Sequence, residues 1–239
     1  MIVGAISDLD VLGMDLEPLW DVIKKNKQPD LLLFAGDMYE FRSPETYEAI
    51  IDFLDLRKWK CPIVAVFGNR EFEEDLDDIK KALKDRIIFL EEESTVLNIK
   101  NKKVGIVGSK GALDTPTWWM FENIPDIKDI YSEKTKNIEG LLKKLKCDVK
   151  ILLTHYSPTF KTLEGERKSI YGNLGSQKLE KILKEGNITF AVHGHAHYGA
   201  PLAFVDSVPV FNVCFLVNKD IVKIDTENLP KAGLSKFVR

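Results

Sequence analysis

The chain has 239 residues, of which 44% are hydrophobic and 30% are charged, so it can bury the core of one domain. Its formal net charge of −3 gives no overall support for a surface that binds nucleic acid. The first residues contain neither a charged leader region nor an apolar run long enough to span a membrane, which predicts a cytoplasmic protein.

The three cysteines lie far apart in the chain, and none belongs to a CxxC pair. This spacing argues against both a disulfide framework and a thiolate zinc site. We therefore expect Cys61, Cys147 and Cys214 to be ordinary buried thiols.

Short apolar runs rich in β-branched residues recur along the chain and predict strands. In chain order, these runs cover residues 2–6, 31–35, 63–67, 104–107, 149–153 and 189–192. Between most of them, apolar residues recur at three- and four-residue steps, which predicts helices. The helices are expected over residues 16–25, 44–56, 76–84, 138–145 and 179–184.

Two regions contain consecutive strands with no helix between them. The first has strands at 87–90, 95–99 and 104–107, and the second at 202–205, 209–216 and 221–224. Alternating strands and helices, together with these two regions, predict an α/β fold of four layers. In this α/β/β/α sandwich, two mainly mixed sheets are flanked by helices. Residues 1–230 are expected to form a single domain, and residues 231–239 a C-terminal tail.

Polar residues follow the predicted strands at the point where each strand ends. These residues are Asp8 and Asp10, Asp37 and Glu40, Asn69, Arg70 and Glu71, His155, and finally His193, His195 and His197. In α/β sheets, functional groups gather on loops just beyond the carboxyl ends of the strands. We therefore expect these side chains to lie close together.

All four histidines of the chain lie in the last two of these loops. A single buried histidine is most simply a core residue, but chance does not place the whole set beside Asp and Asn at other strand ends. Imidazole with carboxylate is a combination of ligands that suits Mn, Fe or Zn. The pattern predicts a metal site.

The order of these motifs resembles that of the calcineurin-like metallophosphoesterases. The matching motifs are Asp8, Gly36-Asp37, Gly68-Asn69, His155 and Gly194-His195-Ala196-His197. The resemblance spans residues 8–197, which is most of the chain. In that family two divalent ions lie between two β-sheets flanked by helices, in agreement with the predicted fold.

The resemblance implies a role for each matching residue. Asp8 and His197 would hold the first metal ion, Asn69, His155 and His195 the second, and Asp37 would bridge both. Two such ions can bind phosphate oxygens and lower the pKa of a bridging water, so that hydroxide attacks phosphorus in line. Asp37, Asn69 and Arg70 are the implied catalytic residues.

Three further residues are expected to support the ligands. Glu40 and Glu71 stand at the acidic positions of the family, with a solvated surface carboxylate as the alternative for either. His193 falls outside the ligand set of the family, so we expect it to orient a ligand or to pack in the core.

Two positions depart from the pattern of the family. Asp10 stands where the family has histidine, and a site richer in carboxylate favours Mn²⁺ or Mg²⁺ over Zn²⁺. Arg70 stands where the histidine of the family contacts the phosphate and helps to protonate the leaving group. A guanidinium cannot give up a proton, but it can bind a phosphoryl oxygen.

Two interpretations of these changes remain open. In an active version, Arg70 clamps the phosphate, and the reaction favours substrates with good leaving groups. In a silent version, Arg70 pairs with Asp10 or Glu71 in a site that holds metal weakly or not at all. The active version is the one that we adopt, because the other ligands are intact.

An aromatic cluster lies in a segment without clear periodicity, residues 110–131, which is expected to be a long loop. Its members are Trp118, Trp119 and Phe121. The simplest interpretation is that they fill a small satellite core, and the alternatives are substrate stacking or a dimer contact.

The sequence therefore predicts a binuclear phosphoesterase that hydrolyses a phosphomonoester, phosphodiester or phosphoanhydride. Its expected cofactors are two divalent metal ions, with Mn²⁺ preferred and Fe, Zn, Mg, Ni or Co as alternatives. Its expected partner is a small phosphorylated substrate rather than a membrane or nucleic acid, with a homodimer as a further alternative. The competing hypothesis is a catalytically silent scaffold of the same fold that binds a protein partner.

Overall fold

In the computed structural model, which describes residues 1–13, 15–38 and 45–233, the chain forms two β-sheets covered by helices. The strands are β1 (Ile2–Ile6), β2 (Leu31–Ala35), β3 (Ile63–Val66), β4 (Ile88–Phe89), β5 (Glu93–Ile99), β6 (Lys102–Ser109), β7 (Val149–Thr154), β8 (Phe190–His193), β9 (Leu202–Val205), β10 (Val208–Asn212) and β11 (Val222–Asp225). The helices are α1 (Glu17–Lys25), α2 (Glu45–Leu56), α3 (Glu73–Leu83), α4 (Trp118–Asn123), α5 (Ile127–Lys144), α6 (Tyr171–Leu174), α7 (Lys178–Glu185) and α8 (Phe215–Asn218).

The first sheet has five strands in the order β11, β1, β2, β3, β4, and the second has six in the order β5, β6, β7, β8, β10, β9. In the first sheet, β1 to β4 run parallel, and β11 is antiparallel to β1. In the second, β6, β7, β8 and β10 run parallel, while β5 and β9 pair antiparallel at the two edges. Both sheets are therefore mixed, as predicted.

The alternation of side chains along β2 shows how the layers are held together. Leu31, Leu33 and Ala35 belong to the apolar layer between the two sheets. Leu32 and Phe34 point the other way, into the layer that packs the first sheet against α1, α2 and α3. A third apolar layer lies between the second sheet and the helices α5 and α7. Strands that are buried on both faces need cover on both faces, which produces the four-layer α/β/β/α sandwich.

The segment predicted as a loop at residues 110–131 is partly helical, so that prediction is wrong. α4 begins after Thr117, whose hydroxyl oxygen accepts a hydrogen bond from the Met120 backbone N–H at 3.3 Å. No residue of α4 is buried, so its sequence has no apolar face that periodicity could reveal. α5 begins at Ile127, whereas the sequence predicted a helix that begins at residue 138. The prediction missed the first turns because the buried face of the helix is interrupted between Tyr131 and Ile138.

The prediction of a strand at residues 209–216 is wrong for the second half of that segment. β10 ends at Asn212, and α8 follows from Phe215. Apolar residues continue without a break across this boundary, so hydrophobicity alone does not mark the end of the strand. Cys214 therefore lies in a loop beyond a strand end.

None of the helices in the described ranges combines the length and hydropathy needed to cross a membrane.

Candidate metal centre

The strand ends that carry the polar motifs meet at one edge of the sandwich. β1, β2 and β3 are parallel neighbours in the first sheet, and β7 and β8 are parallel neighbours in the second. The two sheets are joined here, since His155 Nδ1 donates to the Ala35 carbonyl oxygen at 2.9 Å. The Gly194 backbone N–H in turn donates to the His155 carbonyl oxygen at 3.1 Å. The motif residues consequently surround one cleft between the carboxyl edges of the two sheets.

Asp8 is fully buried, and its carboxylate is fixed from several sides. It accepts hydrogen bonds from the Ser7 hydroxyl at 2.5 Å and from the His195 backbone N–H at 3.0 Å. The Nε2 atom of His197 lies 3.1 Å from Asp8 Oδ1. This contact with Asp8 raises the pKa of His197. The first and last motifs therefore meet at Asp8.

Three motif residues have backbone conformations that residues other than glycine rarely adopt. The φ angles are 57° at Asp8, 51° at Asp37 and 66° at His195. Such left-handed conformations cost of order 1 kcal/mol each. They persist here because the chain must turn sharply after a strand to direct the side chain into the cleft.

Asp37 and His155 form a buried pair at the centre of the cleft. His155 Nε2 lies 3.3 Å from Asp37 Oδ2 and 2.9 Å from Asn69 Oδ1. Because Nδ1 of this imidazole donates to Ala35, Nε2 is the atom that faces both oxygens. The other carboxylate oxygen of Asp37 accepts a hydrogen bond from the Arg70 backbone N–H at 2.7 Å.

The attraction within this pair outweighs the effect of burial. Burial would raise the pKa of Asp37 and lower that of His155. The opposite charge of the partner instead lowers the pKa of Asp37 to about 2 and raises the pKa of His155 to about 9. His155 is therefore protonated at neutral pH, and a metal ion bound at Nε2 would displace that proton.

Within the described residues, three sets of potential metal ligands have atoms that lie within 4.8 Å of one another. The sets are Asp8, Asp10 and Asp37; Asp37, His155 and His195; and Asp8, His197 and Cys214. Asp37 links the carboxylate set to the imidazole set, and Asn69 joins the latter through its contact with His155. This arrangement is compatible with the bridging role that the resemblance implies for Asp37.

The two carboxylate oxygens of Asp10 have different surroundings. Oδ2 lies 3.4 Å from Nε of Arg70, a side chain that is 51% exposed. Oδ1 is buried and is the only such side-chain atom in the described part of the chain without a hydrogen-bond partner. Burial, followed by the charges of Asp37 and Asp8, raises the pKa of Asp10 to about 6. A buried oxygen without a partner is costly, and a cation would remove that cost.

Glu71 is buried, so the alternative of a solvated surface carboxylate is wrong for this residue. It accepts backbone hydrogen bonds from Asp37 at 2.9 Å, Met38 at 2.7 Å and Gly68 at 2.6 Å. Burial and the charge of Asp37 raise the pKa of Glu71 to about 7. Glu71 thus ties the loop after β2 to the loop after β3. Glu40, its predicted counterpart, lies outside the described residues.

Two motif glycines allow these loops to approach each other. Gly36 has a φ of 85°, and a Cβ atom there would lie 2.6 Å from the backbone nitrogen of Gly68. A Cβ atom at Gly68 would overlap the carboxylate of Asp37. Both positions require glycine for the contact that Glu71 secures.

His193 is fully buried, and both nitrogens of its ring have partners. Nδ1 donates to the Gly194 carbonyl oxygen at 2.7 Å, and Nε2 accepts from the Thr162 hydroxyl at 2.8 Å. Burial lowers the pKa of His193 to about 4, so the ring is neutral. His193 thus links the Gly194 carbonyl, directly before His195, to the Thr162 hydroxyl.

Cys214 is the residue of the cleft that the sequence analysis did not select. It is fully buried, and burial together with the charge of Asp8 raises the pKa of its thiol. A neutral thiol is a weak ligand, so we assign Cys214 a packing role beside Asp8. The signal was present in the sequence: Cys214 follows β10, a parallel neighbour of β8, but the predicted strand continued past it.

An apolar cavity of about 640 Å³ opens beside Asn69 and His195. Trp118 and Trp119 line it and are 73% and 60% exposed, so the interpretation that they fill a satellite core is wrong. That core exists, but it is built from other residues of the segment and its surroundings: Ala112, Leu113, Ile127, Tyr131 and Tyr156, with Met120 and Ile124 packed against it.

Carboxylates and imidazoles at adjoining strand ends of an α/β sandwich are typical of metal-dependent hydrolases. The model of the calcineurin-like phosphoesterase family matches residues 1–199. The chain belongs to this family, which confirms the resemblance seen in the sequence.

Comparison with individual proteins agrees with this assignment. A Synechococcus sp. protein named a probable cyclic nucleotide phosphodiesterase is 40% identical over 55 residues. That match spans 23% of this chain and 21% of the relative. The solved structure of a phosphopantetheinyl hydrolase from Mycobacterium tuberculosis has a TM-score of 0.69 at 17% identity. The match covers 95% of this chain and 98% of the hydrolase chain. The solved structure of a protein from Thermus thermophilus has a TM-score of 0.61 at 15% identity, and the match covers 95% of this chain and 94% of the other. At these identities the two solved structures support the fold alone.

Proposed function

We propose that the protein is a phosphoesterase that works with two divalent metal ions. The observation that carries this proposal is the convergence of Asp8, Asp37, His155 and His195 on one cleft, where Asp10 Oδ1 is buried without a partner. An oxygen in that position fits a metal ligand better than any purely structural role.

The donor set divides into two groups that fit two ions. Asp8, Asp10 and His197 would hold one ion, and Asn69, His155 and His195 the other, with Asp37 shared between them. When bound, the ions would supply Lewis-acid activation of the phosphate and a water of lowered pKa. The three carboxylates favour a hard ion, so Mn²⁺ is the preferred candidate.

The protein groups around the donors hold them in position for this task. The Ala35 carbonyl selects the tautomer of His155, and Ser7 with the His195 backbone orients Asp8. Such outer contacts fix ligand geometry and contribute to metal affinity. The guanidinium of Arg70, which is half exposed and lies beside Asp10, would bind a phosphoryl oxygen.

Arg70 also sets a limit on the substrate. It cannot protonate a leaving group, and each histidine of the chain is either in the donor set or, as with His193, fully hydrogen-bonded. Substrates with leaving groups of low pKa, such as aryl esters or phosphoanhydrides, should therefore react best. The name of the Synechococcus relative supports including phosphodiesters among the candidates.

Hydrolysis assays test this proposal. The purified protein, supplied with Mn²⁺, should hydrolyse p-nitrophenyl phosphate, bis(p-nitrophenyl) phosphate or both. Asp37→Ala should reduce kcat/KM by at least about 100-fold, because both ions lose a ligand. Activity that is unchanged in Asp37→Ala would remove the proposed site.

The contact between Arg70 and Asp10 favours a second candidate, a scaffold that does not catalyse hydrolysis. In that case Arg70 would neutralise Asp10 and take the place of a metal ion. Metal analysis of the parent and of Arg70→His separates the two candidates. If the parent binds no metal and Arg70→His does, the scaffold is correct and the phosphoesterase is not.

A further inference from the structure

We propose that the ester group of the substrate is uncharged and apolar or aromatic, and that it binds in the cavity formed by α4 and α6 beside the metal centre. This inference rests on the proposed phosphoesterase function, because it assigns a place to the part of the substrate that is not phosphate. Nothing in the family assignment specifies this group.

The cavity is continuous with the donor set. Asn69 and His195 belong to its lining and also face the centre of the cleft. Tyr156 also belongs to this lining, and its buried ring is 5.4 Å from that of His155 and 4.9 Å from that of His195. A phosphate held by the proposed ligands would therefore direct one of its ester groups into this cavity.

The walls of the cavity are apolar. The lining includes Trp118, Trp119 and Met120 of α4. It also includes Leu174 of α6 and Ile170, which directly precedes α6. None of the described residues that line this cavity is a lysine, an arginine, an aspartate or a glutamate. Its volume of about 640 Å³ is in the range of sites for small organic molecules.

The tryptophans are presented by a helix that is itself anchored. Thr117 caps α4, and Met120 packs into the satellite core, where the Tyr131 hydroxyl lies 3.4 Å from its sulfur. Exposed aromatic side chains on an anchored element commonly mark a binding site, since solvent exposure of such a patch is unfavourable.

The charges around the cavity argue against an anionic ester group. A second cavity shares Trp119 and Met120 with the first and is lined by glutamates and by the lysines Lys110 and Lys134. Its Glu92 pairs with Lys134 at 2.8 Å, and its Glu91 pairs with Lys80. None of the described residues that line the first cavity is a lysine or an arginine that could pair with further phosphates or carboxylates, so the transfer of such groups from water into this cavity would be unfavourable.

Two esters with the same leaving group test the inference. Methyl and benzyl p-nitrophenyl phosphate both release p-nitrophenolate and have similar intrinsic reactivity. With the Mn²⁺-loaded protein, kcat/KM should be about 10- to 100-fold higher for the benzyl ester. The 4-carboxybenzyl ester, which is of similar size but anionic, should lose most of this advantage.

Variants on one helix provide matched controls. Trp119→Ala should lower the benzyl-to-methyl ratio of kcat/KM to about 3 or less. Phe121→Ala should leave the ratio unchanged, because Phe121 is 47% exposed on the same helix but is not among the described residues that line either cavity. An equal loss in both variants would overturn the inference while leaving the proposed function intact. A ratio near 1 in the parent would overturn it together with equal binding of benzylphosphonate and methylphosphonate, which carry no p-nitrophenyl group that could fill the cavity in both cases.

A binding measurement separates the inference from the proposed function. Benzylphosphonate should quench tryptophan fluorescence and bind about tenfold or more tightly than methylphosphonate, and Trp119→Ala should abolish the difference. Failure to hydrolyse either ester would count against the phosphoesterase. Equal binding of the two phosphonates would count against the apolar ester site.

Discussion

In the proposed function, Arg70 is the residue that limits the choice of substrate. Replacement by histidine would supply an imidazole that can donate a proton to a leaving group, which guanidinium cannot do. We predict that Arg70→His raises the kcat/KM for phenyl phosphate relative to p-nitrophenyl phosphate by at least about tenfold. Arg70→Gln cannot protonate the leaving group, so it should not change this ratio. An unchanged ratio in Arg70→His would show that Arg70 does not limit protonation of the leaving group.

Glu71 should contribute to stability as well as to the site. Glu71→Gln places an amide group against backbone N–H donors of Asp37, Met38 and Gly68, so at least one donor loses its acceptor. We predict a loss of about 2–4 kcal/mol in the free energy of unfolding. Urea denaturation in the presence of a chelator measures this value without a contribution from bound metal.

The matched control for this measurement is the exposed Glu73 nearby. Glu73→Gln should change the free energy of unfolding by no more than about 0.5 kcal/mol. Equal effects of the two substitutions would contradict the structural role of Glu71.

Metal affinity should depend on pH through His155. Its pKa of about 9 in the metal-free pair with Asp37 means that an incoming ion displaces a proton at any pH below that value. We predict that the affinity for Mn²⁺ falls by at least about tenfold for each pH unit between 8.5 and 6.5, because the raised pKa of His197, a proposed ligand of the other ion, adds to the proton uptake of His155. Below pH 6 the raised pKa of Asp10 should add a second proton and steepen the decline.

Calorimetric titrations in buffers of different ionisation enthalpy measure both the affinity and the protons released. His193 and His195 have pKa values lowered to about 4 and should release none in this range. An affinity for Mn²⁺ that is independent of pH would contradict the proposed protonation of His155.

At the scale of elements, the packing of α5 on the second sheet should be a major source of stability. Leu142 is fully buried between α5 and the sheet, whereas the adjacent Lys143 has 67% of its side chain exposed. We predict that Leu142→Ala lowers the free energy of unfolding by about 3 kcal/mol and that Lys143→Ala changes it by less than about 0.5 kcal/mol. Thermal or urea denaturation of the two variants provides the comparison. Similar values would contradict the assigned orientation of α5.

The elements that the sequence predicted well are those with a strong hydrophobic signal. Strands such as Leu31–Ala35 are buried on both faces and appear as continuous apolar runs. α4 could not be predicted, because it exposes both tryptophans and packs against the satellite core through Met120 without a buried face of its own. The end of β10 was missed for the opposite reason, since apolar residues continue from the strand into α8.

For the candidate site, the sequence predicted which residues meet but not how they share their contacts. The rule that loops meet at the carboxyl ends of parallel strands was sufficient for Asp8, Asp37 and His155. It could not show that Asp10 directs one oxygen to Arg70 and buries the other, because that division depends on side-chain geometry. The orientation of Trp119 toward the cleft likewise depends on tertiary packing.

At the scale of the whole molecule, the site belongs to both sheets and depends on how they are held together. The first sheet supplies Asp8, Asp37 and Asn69, and the second supplies His155 and His195. The apolar layer between the sheets and the hydrogen bond from His155 to Ala35 keep these two groups in register. In addition, β11 near the end of the chain pairs with β1 at its beginning. For these reasons we propose that residues 1–230 act as one domain.

The amount of manganese that the protein retains shows whether this junction of two sheets holds two metal ions. After incubation with Mn²⁺ and gel filtration, the parent should retain about two ions per chain, and Asp37→Ala close to none. Asp206→Ala, at a carboxylate that is 64% exposed on the surface, should retain as much as the parent. A parent that retains no more manganese than Asp37→Ala would contradict the account.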